Sequence, residues 1–205
     1  DGLVNVLGII LGVATATNDQ RIVIIAGLAA TFAESISMAA VAFTSKKAAK
    51  QFYESEKKRL EKLVEENRSE NKKLIEEVYS KKGFAGNDLQ RAVEIITSNK
   101  KVFVDTILSE SLNLSSYSGV SPSKNAVIVG LSAFVGSLVP LVPFFFVDVK
   151  IAFILSLVFS VVILFIVGAL KAKWTIGGWK KNGFEMVAIG MVAALSGYII
   201  GILLS

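Results

Sequence analysis

The stretch that decides the fold is residues 22–43, IVIIAGLAATFAESISMAAVAF, in which Glu34 is the one charged side chain. The hydrocarbon core of a bilayer is about 30 Å thick, so a helix needs about 20 apolar residues to cross it. A soluble fold needs polar residues on the outer face of every helix, and this run does not supply them. The stretch therefore predicts a membrane-spanning helix.

Four further apolar runs follow the same pattern, at residues 3–17, 126–147, 151–170 and 184–204. The first is short and crosses the bilayer fully if the helix continues upstream of Asp1. Because the chain opens on Asp1 and not on Met, we expect that its true N-terminus is missing and that Asp1 lies well inside the membrane. No secretory signal peptide is visible. The runs predict an all-α polytopic membrane protein with five transmembrane helices.

The charges are concentrated in one central segment, which contains most of the chain's 22 Lys and Arg residues. Cytoplasmic loops carry an excess of Lys and Arg, so this segment and the Lys-rich loop near residues 171–181 are predicted to be cytoplasmic. The short turns between spans, at residues 18–21 and 148–150, are predicted to lie on the opposite side. The predicted organisation is transmembrane helices 1 and 2 in residues 1–45, a cytoplasmic helical insertion in residues 46–122, and transmembrane helices 3 to 5 in residues 123–205.

The central segment has the periodicity of amphipathic helices, and no Gly or Pro separates Phe43 from Leu63. We therefore expect the second span to continue into the cytoplasm as one helix. Its many acids either collect metal or form a solvated face paired with basic residues. Spacings of four residues favour the second interpretation. The predicted pairs are Lys57 with Glu61, Lys62 with Glu66, and Lys73 with Glu77.

The composition excludes several classes of function. The chain has no Cys and no His, so disulfides, thiolate metal sites and the commonest general base are all absent. No nucleophile motif is present, so an enzyme finds no support, and no tightly bound cofactor is expected. The net charge of +5 is explained by basic residues beside membrane segments, and no nucleic-acid partner is predicted.

The candidate ion-binding residues lie on two polar stripes within the first two spans. A carboxylate near the centre of a span, such as Glu34, costs roughly 2.5–3.5 kcal/mol on insertion scales and usually has a function. Steps of three and four residues place each stripe on one helix face. The second span carries Gly27, Thr31, Glu34, Ser35 and Met38, and the first carries Asp1, Asn5, Gly8, Gly12 and Thr15.

Two such stripes on adjacent spans can line one path for an ion. Oxygen ligands with a single thioether suit iron(II) or manganese(II) better than copper or zinc. A carboxyl group in an apolar span favours its protonated form until a cation displaces the proton, which is a hypothesis for metal–proton exchange. Structural roles are the alternatives: Glu34 bonded to a neighbouring helix, Asp1 at the membrane interface, and Met38 as packing.

The chain resembles the vacuolar iron transporter family of plants and yeast, with its prokaryotic relatives, over nearly its whole length. The resemblance rests on DGLV at residues 1–4, ISM at residues 36–38, GSLVPLVP at residues 136–143 and YIIG at residues 198–201. It implies a homodimer with the ion path at the dimer interface. It also implies export of iron(II), often manganese(II) too, from the cytoplasm in exchange for protons.

The resemblance carries over to some residues and not to others. By analogy, Asp1 and Met38 occupy the family's path-lining acid and methionine positions, whereas the family's second acid lies one turn before Glu34, near Ala30. Cytoplasmic helices of the family collect metal through glutamates and methionines, and this chain has Ile107 and Leu108 where methionines are expected.

Together these features predict a proton-coupled transporter of iron(II) or manganese(II). Asp1, Glu34 and Met38 are the predicted metal ligands, with Asn5 and Ser35 as supporting oxygen donors. The expected location is the cell membrane in a prokaryote or the vacuolar membrane in a eukaryote. The alternative function is a membrane scaffold or interaction protein whose charged cytoplasmic helices bind a partner.

Overall fold

The computed structural model describes residues 1–112, 114, 121–174 and 177–205, and these residues divide between two compact units. The apolar unit comprises Asp1–Phe43 and Ser123–Ser205, and the charged unit comprises Thr44–Pro122. The described residues form eight α-helices and no strand: α1 (Gly2–Thr17), α2 (Gln20–Glu66), α3 (Arg68–Lys81), α4 (Gly86–Ser98), α5 (Lys100–Thr106), α6 (Pro122–Leu141), α7 (Val149–Ala172) and α8 (Trp179–Leu203). The prediction of an all-α protein is confirmed.

Helices α1 and α2 are joined by a two-residue turn that makes them antiparallel neighbours. Asn18 adopts a left-handed conformation with φ 50°, which asparagine tolerates, and its N–H donates to the carbonyl of Ala14. The Oδ1 of Asp19 then accepts from the backbone N–H of Arg21 at 2.8 Å and of Ile22 at 3.2 Å. These bonds satisfy N–H groups that the start of α2 would otherwise leave without partners.

Helix α1 lies at the centre of the apolar unit, buried on two sides. One side packs Val6, Ile10 and Ala14 into a core shared with α2, α6 and α7. The other side packs Leu7 and Leu11 against Ala194 of α8. The most central helix of the unit is therefore also the shortest of its apolar helices.

Glycines bring the backbones of α1 and α8 into direct contact. A Cβ placed on Gly12 would lie 2.9 Å from the carbonyl oxygen of Gly197, and one placed on Gly8 would lie 3.0 Å from that of Ala193. Gly201 faces Gly12 in the same way. The two Gly-x-x-x-Gly patterns, each weakly specific by itself, therefore face one another across a single helix crossing.

Among the described residues, four helices are long and apolar enough to cross a membrane: α2, α6 with the 3₁₀ turn Val142–Phe145, α7 and α8. Their outer faces carry exposed aliphatic side chains, as lipid contact requires. Helix α1 has 16 residues and is about 24 Å long at 1.5 Å per residue, shorter than the hydrocarbon core. Four of the five predicted spans are thus supported, and the fifth stays a prediction.

The charged unit is built on the second half of α2, which runs without interruption for 47 residues. The expected continuation of the second span is confirmed. Helices α3 to α5 and a π-helical turn at Ile107–Ser111 enclose the core of this unit. The core residues are Leu60, Val64, Ile75, Val93, Ile96, Phe103, Val104, Ile107 and Leu108. The two positions where family methionines were expected are therefore hydrophobic packing positions.

Several ion pairs in the charged unit join different helices. Lys57 lies 3.5 Å from Asp105 of α5, where the spacing had predicted a pair with Glu61. Lys82 contacts Glu110 at 2.5 Å, and Lys100 contacts Glu65. Pairs along one helix are also present, as expected from the spacing: Lys50 with Glu54 at 3.7 Å and Arg59 with Glu56 at 3.1 Å. The acids are therefore paired both along α2 and through tertiary packing.

The glycine crossing makes a testable prediction. Gly197→Ala places a methyl group against the carbonyl of Gly8, so we expect the protein to lose about 1–3 kcal/mol of stability through overpacking. The measurement is the thermal unfolding midpoint of the full chain in detergent. Gly136→Ala is the matched control, because a Cβ there comes no closer than 3.8 Å to a neighbouring atom. Equal midpoints for the two variants would contradict the close crossing.

Candidate ion-binding site

A side-chain hydrogen bond sets the register of α1 against α2. The amide Nδ2 of Asn5 donates to the carboxylate Oε1 of Glu34 at 2.9 Å. In an antiparallel pair, the residues one turn further along lie opposite each other as well, about 6 Å away along the axis at 1.5 Å per residue. This register places Asp1 at the level of Met38.

Asp1 and Met38 line one cavity of about 420 Å³. Its walls come from all five helices of the apolar unit: Asp1, Gly2 and Leu3 at the start of α1, Met38 of α2, Ile128, Val129, Ser132, Ala133 and Gly136 of α6, Ile163, Leu164 and Val167 of α7, and Met186 of α8. The cavity lies at the end of the α1–α2 pair remote from the turn at Asn18. A carboxylate and thioethers thus meet in otherwise aliphatic surroundings.

A proline inside α6 adds a backbone oxygen to this region. Pro140 has no N–H, so the carbonyl of Gly136, four residues earlier, cannot accept the usual helical hydrogen bond from it. Gly136 lines the cavity. The carbonyl of Pro140 itself accepts from the buried hydroxyl of Ser156 at 2.7 Å, which ties the interrupted end of α6 to α7.

Ser35 has a different environment from its neighbour Glu34. It is buried, and its hydroxyl donates to the carbonyl of Thr31 in the same helix at 2.6 Å. Its helix faces α6, where a Cβ on Gly130 would lie 3.3 Å from the carbonyl oxygen of Ser35. The structure brings together Asn5 with Glu34 and Asp1 with Met38, and it leaves Ser35 outside both pairs. Its role as an oxygen donor stays a prediction.

The sequence of these helices matches a known family of proteins. The sequence profile of the VIT family matches residues 1–202. The chain belongs to the VIT family.

Curated relatives cover almost the entire chain. A vacuolar iron transporter of Plasmodium falciparum is 30% identical, over 100% of this chain and 78% of the relative. One from Toxoplasma gondii is 31% identical, over 100% of this chain and 71% of the relative. Vacuolar iron transporter 1 of Arabidopsis thaliana is 23% identical, over 97% of this chain and 80% of the relative.

These matches confirm the family resemblance that the sequence motifs indicated. Membership of the VIT family, together with the four long apolar helices, identifies the chain as an integral membrane protein. The relatives carry the names of transporters, which confirms the expectation that this VIT-family chain is not an enzyme.

The residues of the polar stripe of α1 contact two different helices, α2 and α8, in this VIT-family structure. Asn5 faces α2 and bonds to Glu34, whereas Gly8 and Gly12 contact α8. The hydroxyl of Thr15 donates to the carbonyl of Leu11, one turn earlier in the same helix. The stripe therefore combines a hydrogen-bonding end at Asn5 with a packing end at Gly8 and Gly12.

Sequence reasoning missed Met186 of α8. The signal in the sequence is a spacing of three and four residues that puts Met186 on one helix face with Gly183 and Gly190. This face of α8 packs inward. Within the described residues, no three acidic side chains lie close enough to hold a metal ion by themselves.

The register of α1 and α2 can be tested by cross-linking, because the natural chain contains no cysteine. We expect Asn5→Cys with Glu34→Cys to be joined within one chain by a short thiol-reactive linker, detected by mass spectrometry of the digested protein. Asn5→Cys with Ile36→Cys is the control, since Ile36 is 67% exposed on another face of α2. Preferential linkage of the control pair would overturn the register.

Proposed function

We propose that this protein is a proton-coupled transporter that moves a divalent metal ion, iron(II) or manganese(II), out of the cytoplasm across its membrane. The observation that carries the proposal is the placement of acids beside neutral donors in the apolar unit: Asp1 and Met38 line one cavity, and Glu34 accepts from Asn5 one turn beyond. Iron as the cargo is supported by relatives named vacuolar iron transporters.

The two pairs supply ligands at successive depths. Asn5 donates its NH₂ group to Oε1 of Glu34, so its own carbonyl oxygen and the second carboxylate oxygen of Glu34 are available to a cation. Carboxylate and amide oxygens suit divalent ions of this hardness. An ion released from Asp1 and Met38 has the next ligands about 6 Å further along the helices.

Proton coupling is proposed from the chemistry of the carboxylate ligands. A carboxylate oxygen binds either a proton or a metal cation. Metal and proton therefore compete for the same oxygen atoms. A pH gradient that returns protons to the emptied carboxylates would drive the metal in the opposite direction.

The charge distribution supports an orientation of the chain in the membrane that fits export. The positive-inside rule places the charged unit and the Lys-rich loop in the cytoplasm, and the turns near Asn18 and Asp148 on the far side. In this orientation the cavity at Asp1 and Met38 lies in the cytoplasmic half of the apolar unit. Glu34 and Asn5 come next on the way outward.

A second copy of the chain resolves an energetic problem on the outer face of α1. Asn5 is exposed in one protomer, although it lies within an apolar helix. A groove of about 480 Å³ runs along α1 and α8 beside it and is lined by small residues, including Gly8, Gly12 and Gly197. Polar side chains avoid lipid, and small residues favour helix contact. A homodimer that pairs these faces would enclose the ion path.

The site assignment predicts the effect of removing each acid. Asp1→Asn and Glu34→Gln keep side-chain size but remove the charge that the cation needs, so metal uptake into liposomes should fall at least about tenfold. Glu185→Gln is the control, because Glu185 is an exposed acid of α8 that does not line the cavity. Wild-type uptake in both site variants would refute the site. No uptake by the natural protein would favour the scaffold alternative.

The coupling mechanism makes a separate prediction. Iron(II) uptake into liposomes that contain an acidic interior should exceed uptake at equal pH, and a pH-sensitive dye should report protons leaving as metal enters. Collapse of the gradient with a protonophore supplies the control. If uptake is independent of the pH gradient and no protons move, proton coupling is refuted and the protein is a uniporter.

A further inference from the structure

We propose that Met186 of α8 is a metal ligand of the cavity and makes the transporter prefer iron(II) over the harder manganese(II). This assignment rests on the proposed function, since it concerns the ion that the cavity admits. It adds a donor from a third helix to the pair formed by Asp1 and Met38.

A few of the side chains that line the cavity carry oxygen or sulfur atoms, whereas the rest of its wall is apolar. Asp1, Met38 and Met186 line the same space of about 420 Å³. The hydroxyl of Ser132 is turned to its own helix, where it donates to the carbonyl of Ile128 at 2.7 Å. Its oxygen keeps its lone pairs, so the side chains with donor atoms at the cavity are one carboxylate, one hydroxyl and two thioethers, and the thioethers are the soft donors.

Gly168 of α7 packs closely against the part of α8 that carries Met186. A Cβ on Gly168 would lie 2.5 Å from the carbonyl oxygen of Asn182 and 2.9 Å from the Cγ of Met186. Met191, the remaining methionine of α8, is also half-buried but does not line the cavity. Two of the chain's three methionines thus meet at the one cavity that also holds Asp1.

The chemistry of the thioether gives Met186 a specific effect. A carboxylate attracts any divalent cation, whereas a neutral, polarisable sulfur adds more to the binding of iron(II) than to that of manganese(II), in line with the Irving–Williams order. Met186 carries no charge and binds no proton. Its loss should therefore change which metal is preferred without changing how many protons move for each ion.

The test is competition between the two metals. The full chain is reconstituted in liposomes with a pH gradient, and iron(II) uptake is measured while manganese(II) is added in increasing amounts. Met186→Leu conserves volume and removes the sulfur. We expect manganese to inhibit this variant at a several-fold lower concentration than the natural protein, with the proton-to-metal ratio unchanged. Met191→Leu, the matched control, should behave as the natural protein does.

Two further outcomes decide the proposal. Met186→Gln replaces sulfur with a harder oxygen donor of similar reach, so manganese should compete still better. If Met186→Leu fails to assemble, the competition assay is carried out with Met186→Gln instead. Wild-type competition in both Met186 variants, or an equal shift in Met191→Leu, would overturn the assignment while iron transport itself stands. Absence of iron uptake by the natural protein would instead refute the proposed function and Met186's role with it.

Discussion

A carboxylate inside an apolar helix has to be compensated, and the hydrogen bond from Asn5 to Glu34 is where this protein does so. An uncompensated acid at that depth costs roughly 2.5–3.5 kcal/mol on insertion scales. The bond also fixes how α1 lies against α2, and this register brings Asp1 level with Met38. The composition of the cavity therefore follows from one interaction between two side chains one turn away from it.

That register holds because α1 is fixed on its remaining sides. Its buried faces contribute to two hydrophobic clusters, and its glycines contact the backbone of α8. Packing against these neighbours determines the position of α1. Pro140 of α6, whose carbonyl accepts from Ser156 of α7, lies one turn after Gly136, which lines the cavity.

The sequence predicted the helices well because hydrophobic runs, the turn at Asn18 and Asp19, and the uninterrupted continuation of α2 are all local signals. It also predicted which polar residues share a helix face. Periodicity does not say which neighbouring helix that face contacts. Glu34 and Ser35 were therefore predicted to share one stripe, whereas Glu34 accepts a hydrogen bond from α1 and the buried hydroxyl of Ser35 donates to a carbonyl of its own helix. Met186 was missed for the same reason, and so was the pair of Lys57 with Asp105, whose residues are remote in sequence.

The contact between α1 and α8 has a mechanical consequence. Two backbones that touch through Gly8, Gly12 and Gly197 have no layer of flexible side chains between them that could absorb sliding. The crossing therefore opposes any sliding of α1 along α8, and it holds the spacing between Asp1 at the start of the one helix and Met186 of the other.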